Sequence, residues 1–293
     1  MNTDKWKSIL GFVALDKYPN LPCPYCHQET LNIDESTIVS RVVSEKYKKI
    51  ASPHFNLEND KRKERGIEQK ELVGKMLGSN SVLGLFGAAA VIYREVVKPS
   101  YHFCKFTAFM TCVSCNDHIA VTGLAQEHTK NNTDKKQLPS LYKIDHFSVP
   151  VPMLEIPPAV PVSIQFELLG AFNFFHIDTN LSASKLRRAI EKFCSELGMK
   201  PNSLARQIKE LESKYPTEAS FLNTLRLVGN EGTHSDNVNE DDLLLAFDIV
   251  EEVLAIFPRL AKLERLKAPQ AQLEDKFDKK KARAEAKTLE HEK

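Results

Sequence analysis

The chain has 293 residues, 42% of them hydrophobic and 27% charged, which is ordinary globular composition and excludes a low-complexity or fibrous protein. Lys+Arg 40 against Asp+Glu 39 gives a formal net charge of +1, so no overall field gathers nucleic acid or an anionic membrane. The most apolar stretch, Ser81 to Tyr93, is 13 residues long. A spanning helix needs roughly 20. Met1 to Phe12 shows no secretory pattern either, so a cytoplasmic protein with no membrane partner is expected.

Residues 1 to about 34 carry Cys23-Pro-Tyr-Cys26, the first of two C-x-x-C pairs. Residues 35–98 read as an inserted, mainly helical segment, with Ile38, Val42 and Val43 at helical spacing and a highly charged run from Lys46 to Lys75. Residues 101–125 read as two short strands flanking the second pair, Cys112-Val-Ser-Cys115, because apolar, aromatic and β-branched residues alternate there. A domain is therefore expected over 1–125. The polar run 126–140 reads as a linker, and the five prolines between 150 and 161 as an extended strap, giving a connection over 126–161.

Five amphipathic helices are expected after Pro161. The first, Ser163 to Asp178, places Phe166, Leu169, Phe172 or Asn173, and His176 on successive turns. The second, Leu181 to Leu197, has Leu186, Ile190 and Phe193 on one face and ends at Gly198. The third covers about 203–214. The fourth covers about 218–228, with Phe221, Leu225 and Val228 as its stripe and Gly229 at its end. The fifth follows Asn239, opens on Glu240, Asp241 and Asp242, and is ended or kinked by Pro258. Together they describe a bundle over 162–258, followed by a charged helical or disordered tail over 259–293.

The cysteines carry the strongest chemical signal. Two thiolates two residues apart can grip one edge of a metal site, and two such pairs complete a tetrahedral S4 set, which suits Zn2+. Four thiolates leave no open coordination position, so such a zinc is structural. A redox pair and inert thiols are the alternatives. Cys104 and Cys194 read as small buried hydrophobes, and His27 and His102 as replacement ligands should a cysteine fail geometrically.

A second cluster is Arg226-Leu-Val-Gly-Asn230-Glu-Gly-Thr-His234, read as a helix end and the following turn. A histidine moves protons near neutral pH, an arginine holds phosphate, and an asparagine orients either. The same residues can equally serve as caps and hinges. Arg187 and Glu191, at i and i+4 of the second helix, share a face as an ion pair or as partners of this segment.

From about Pro157 to Pro258 the chain resembles the family called domain of unknown function 4145. The motifs are Pro-Pro-Ala-Val-Pro (157–161), Lys185-Leu-Arg-Arg-Ala-Ile-Glu191 with Gly198, Arg226 to His234, and the acidic-opened last helix. Many members also carry an N-terminal zinc ribbon. The family is similar to the HEPN superfamily of helical bundles, found in prokaryotic toxin–antitoxin, restriction and anti-phage systems. Many of those are dimeric, metal-independent ribonucleases with an Arg-x4-6-His motif.

The resemblance implies an α+β chain: a small zinc-ribbon β domain with a helical insertion, then an all-α HEPN-like helical bundle. By position it makes His234 the catalytic histidine and Asn230 the polar residue of the motif, with Arg226 the nearest arginine and Arg187 and Glu191 as supporting groups. Gly229 stands where an arginine is required. The expectation is therefore an interaction or regulatory component of a defence module, a homodimer through the bundle, binding RNA, DNA or a partner protein. The alternative is an endoribonuclease using Arg226, Asn230 and His234.

Overall fold

The computed structural model describes residues 1–44, 71–75, 101–128, 139–200, 203–234 and 238–291, so most of the insertion expected at 35–98 lies outside the described residues. The chain divides into two compact units. One comprises Asp4–Val151 with His176–Asp178, the other Met1–Thr3, Pro152–Phe175 and Thr179–Lys293.

The first unit is a six-stranded sheet whose described pairings are all antiparallel. It opens with helix α1 (Thr3–Ser8), and its strands are β1 (Val13–Ala14), β2 (Leu31–Ile33), β3 (Val39–Val42), β4 (Tyr101–Cys112), β5 (His118–His128) and β6 (Leu141–Phe147). They run β1-β6-β5-β4-β2, with β3 also paired to β4. Alternation explains the long central hairpin: Cys104, Phe106, Ala108, Met110 and Cys112 are buried, while Lys105, Thr107 and Phe109 are exposed.

Two strands correct the sequence reading. Val39–Val42 is β3, paired to β4 from Thr107 to Cys104, where helical spacing was expected from Ile38 to Val43. Leu141–Phe147 is β6, inside the range read as linker and strap. A bulge hides it. Thr122 pairs with His146 but Gly123 with Ile144, so Asp145 is extra and the buried set jumps from Tyr142 and Ile144 to Phe147. The bulge brings backbone close to backbone: a Cβ on Gly123 would lie 2.0 Å from the carbonyl oxygen of Lys143.

The second unit is helical: α2 (Val162–Phe175), α3 (Thr179–Glu196), α4 (Leu204–Glu212), α5 (Pro216–His234), α6 (Glu240–Leu254) and α7 (Ile256–His291). Each of the five expected helices has a counterpart, and the last 36 residues of helix extend the tail. Asn239 caps α6 through a reciprocal pair with Asp242, its Oδ1 accepting the Asp242 N–H at 2.9 Å. Gly198, at φ +80°, takes the left-handed position past the end of α3. Pro258 sits in the first turn of α7, where a missing N–H costs nothing, and α6 ends four residues before it at Leu254.

Two stripes differ from expectation. In α2 the buried residues are Ile164, Glu167, Leu168, Ala171, Phe172 and Phe175, and Phe166 is 72% exposed. The helix is apolar on almost every face, so spacing alone does not choose one. In α5 the buried row is Leu222, Leu225, Gly229 and Gly232, with Phe221 outside it. The glycines continue the helix rather than stop it. A Cβ at Gly229 would meet Arg187 Cβ at 2.7 Å, and one at Gly232 would meet Ala183 Cβ at 2.4 Å. Only glycine lets α5 cross α3 this closely. Phe172 and Phe247 stack edge to face at 5.1 Å in the core, as do Phe193 and Phe257 at 5.2 Å.

Candidate metal centre and helix-crossing site

The pairing of β2 with β4 builds the cysteine cluster. Leu31 lies opposite Cys112, which sets the 23–30 loop beside the β4–β5 turn. The two loops have the same local design. The Cys23 N–H donates to Gln28 O at 2.9 Å, and the His27 N–H to Cys23 O at 2.9 Å. The Cys112 N–H donates to Asp117 O at 2.8 Å, and the Asn116 N–H to Cys112 O at 2.9 Å. His27 and Asn116, each four residues after the first cysteine, both have φ 60°. Asparagine and histidine are among the non-glycine residues that adopt this region most readily.

Cys23, Cys26, Cys112 and Cys115 thus converge, with Cys23 Sγ 3.7 Å from Cys115 Sγ and Cys26 Sγ 3.6 Å from Cys112 Sγ. A tetrahedron with a metal–sulfur distance of about 2.3 Å has edges of about 3.8 Å. The four thiols are therefore placed to hold one metal ion. Burial acts to raise the Cys112 thiol, but the Thr30 hydroxyl at 3.2 Å and the N–H groups of Cys115 and Ser114 bring it down to about 6. His27 contributes its backbone geometry and is not among the clustered ligands.

The other predicted residues lie on α3 and α5, and three of them meet at the crossing. Arg187 Nη1 donates to Asn230 Oδ1, and Arg187 Nε lies 3.3 Å from Glu191 Oε1. Glu191 meets Arg187 one turn along α3, and Asn230 meets it because Gly229 lets α5 approach the Arg187 backbone. Arg226 is not with them. Its Nε and Nη2 donate to Asn223 Oδ1 at 3.1 and 3.0 Å, one turn back along α5. His234 is the last residue of α5, and its side chain lies outside the described atoms.

Sequence reasoning missed a neighbouring network. Glu167, 4% exposed on α2, receives Lys185 Nζ at 3.1 Å and Arg188 Nη2 at 2.8 Å from α3. The Lys185-x-x-Arg188 spacing of three was its only signal. Cys194 is buried, as expected of a small hydrophobe, and burial pushes its thiol up to about 12.

The family comparison falls on the helical unit. Residues 170–281 match the family model called Domain of unknown function (DUF4145). The match covers less than half of the chain and continues past the expected bundle end at 258 into α7. It supports the DUF4145 resemblance of the helical unit. No curated protein and no solved structure matches the chain. Among the described residues, no helix is long and apolar enough to cross a membrane.

Proposed function

We propose that the chain is a zinc-stabilised interaction component, a regulatory subunit of a defence or toxin–antitoxin type of module, whose HEPN-like helical unit pairs with a second copy. Zn2+ at Cys23, Cys26, Cys112 and Cys115 is structural and ties the two cysteine loops together, as in a zinc ribbon.

One observation carries the pairing: an open groove of about 420 Å³ between α5 and α6. Its wall includes Leu227, Val228, Leu245 and Ile249, with Glu231 and Asp242 among the polar residues. Leu227 is 53% and Leu245 62% exposed. Residues 220–255 carry eight acidic residues and one basic, so two such faces repel each other and RNA alike. The complementary surface is α7, where 259–291 carries 10 basic and 6 acidic residues. Residues 261–279 of α7 are exposed on every face, and Leu263, Leu266, Leu273 and Phe277 form a stripe at helical spacing. A helix so exposed gains most of its stability from a partner. Reciprocal seating of α7 in the groove of a second copy covers both apolar surfaces. Light scattering should give twice the 33.2 kDa chain mass, and Leu245→Asp should return it to the monomer. A monomer in the wild type overturns the pairing.

An endoribonuclease is the second reading. Arg187 reaching Asn230 favours it, because α3 then supplies a guanidinium where α5 has Gly229. Against it, Glu191 already neutralises Arg187, and Arg226 is bound to Asn223.

A further inference from the structure

The sheet carries a second cluster of metal-ligating groups. His102 and Cys104 are two residues apart on β4, so they share a face. Glu127 on β5 lies directly opposite His102 in the register, on the same face. The ligand atoms of the three all fall within 4.8 Å of one another. His102 Nε2 is 3.6 Å from a Glu127 carboxylate oxygen, Oε2. The other carboxylate oxygen accepts the Ser40 hydroxyl from β3, which fixes the orientation of Glu127. Such an outer partner is what a ligating carboxylate requires.

Burial grades across the cluster. Cys104 is 1% exposed, while the His102 and Glu127 side chains are 38% and 28% exposed. The thiol forms the floor and the imidazole and carboxylate form an open mouth.

We propose that His102, Cys104 and Glu127 bind a divalent transition-metal ion, with Zn2+ the best match, and leave one coordination position open to water or an exchangeable ligand. One sulfur, one nitrogen and one oxygen donor form a borderline-soft set that suits tetrahedral zinc, and three protein ligands are the hallmark of an open zinc site. Oxygen-only cations such as Mg2+ and Ca2+ are excluded by the thiol and imidazole. A nucleophilic cysteine is the competing use of these residues. It needs an electropositive setting that lowers the thiol. Here Cys104 is 1% exposed and shares its cluster with the Glu127 carboxylate, an anion. The site is separate from the four-cysteine cluster: Cys104 and Cys112 are eight residues apart along one strand, about 27 Å. The proposal is independent of the interaction function argued above.

Titration of the purified full-length chain with Co2+, then Zn2+, tests it, with bound metal counted by mass spectrometry and the thiolate–cobalt absorption recorded. The wild type should bind one equivalent more than His102→Ala, and Cys104→Ser should show the same loss of one. The absorption of the four-thiolate centre should persist in both variants. His102 sits at the exposed mouth, so its replacement leaves the core intact, and circular dichroism verifies this. If His102→Ala unfolds, Glu127→Ala supplies the same comparison. Equal metal content in the wild type and the folded mouth variant overturns the site.

Discussion

Gly229 stands where an Arg-x4-His motif has its arginine, and the atom facing it is Arg187 Cβ. Replacing glycine by alanine inside a helix ordinarily gains up to about 1 kcal/mol. At Gly229 the new Cβ would lie 2.7 Å from a Cβ fixed to the α3 backbone, not from the mobile end of a side chain. Overpacking of this kind costs about 1–3 kcal/mol and outweighs the propensity gain. Gly232→Ala should cost more than Gly229→Ala, because its Cβ meets Ala183 Cβ at 2.4 Å and the Asn180 carbonyl at 2.9 Å. Urea denaturation of both variants measures this; a stabilising effect of either contradicts the close crossing. Glu167 provides a second test at this scale. Glu167→Ala leaves Lys185 and Arg188 facing a buried void, and should cost about 3 kcal/mol, the lower part of the range for broken buried pairs because both cations also reach water. Gly229 reads as a helix stop because glycine commonly ends helices. The visible signal was the row Leu222, Leu225, Gly229, Gly232, whose spacings of three, four and three keep one helical face.

At the scale of elements, what was legible followed the strength of the period. Helices α3, α4 and α6 carry clear stripes, whereas the row expected in α5, Phe221, Leu225 and Val228, is replaced by Leu222, Leu225, Gly229 and Gly232. Helix α2 was found, but its inward face was not, since Phe166 and Phe172 compete for it and only packing decides. Strand β6 was lost because Asp145 interrupts the alternation of Tyr142, Ile144 and Phe147. That bulge also predicts a pH effect. Burial raises the Asp145 carboxyl to about 6 from the ordinary 3.8, opposed by Lys143 and Lys105. A carboxyl raised in the folded state favours folding only while protonated. Its contribution is therefore lost as pH rises from about 4 to about 6. Asp145→Asn should be more stable than the wild type at pH 7, with the difference shrinking toward pH 4. Thermal melts across that interval check it; a gap that widens toward acid contradicts the assignment.

For the whole molecule, the two C-x-x-C pairs were legible at 85 residues' separation because thiol spacing reports local loop geometry, whatever lies between. The sheet pairing that joins them, Leu31 opposite Cys112, was not legible, since three-residue β2 has no pattern of its own. The two units predict a divided response to metal loss. Cys112→Ser or strong chelation should unfold the sheet unit while the helical signal at 222 nm largely survives. A fully intact sheet after zinc removal would contradict a structural metal. The helical unit was legible as a bundle, but the groove between α5 and α6 was not, because residues of two separate helices line it.

The claim that the protein acts by association rather than catalysis is tested most directly by incubating it with cellular RNA in excess EDTA, beside His234→Ala. The chelator silences metal-dependent contaminants and leaves a metal-free site able to act. Circular dichroism confirms that the helical unit remains folded. The account predicts intact RNA from both proteins. Cleavage by the wild type that vanishes in His234→Ala would contradict it, and would make the α3–α5 crossing a ribonuclease site.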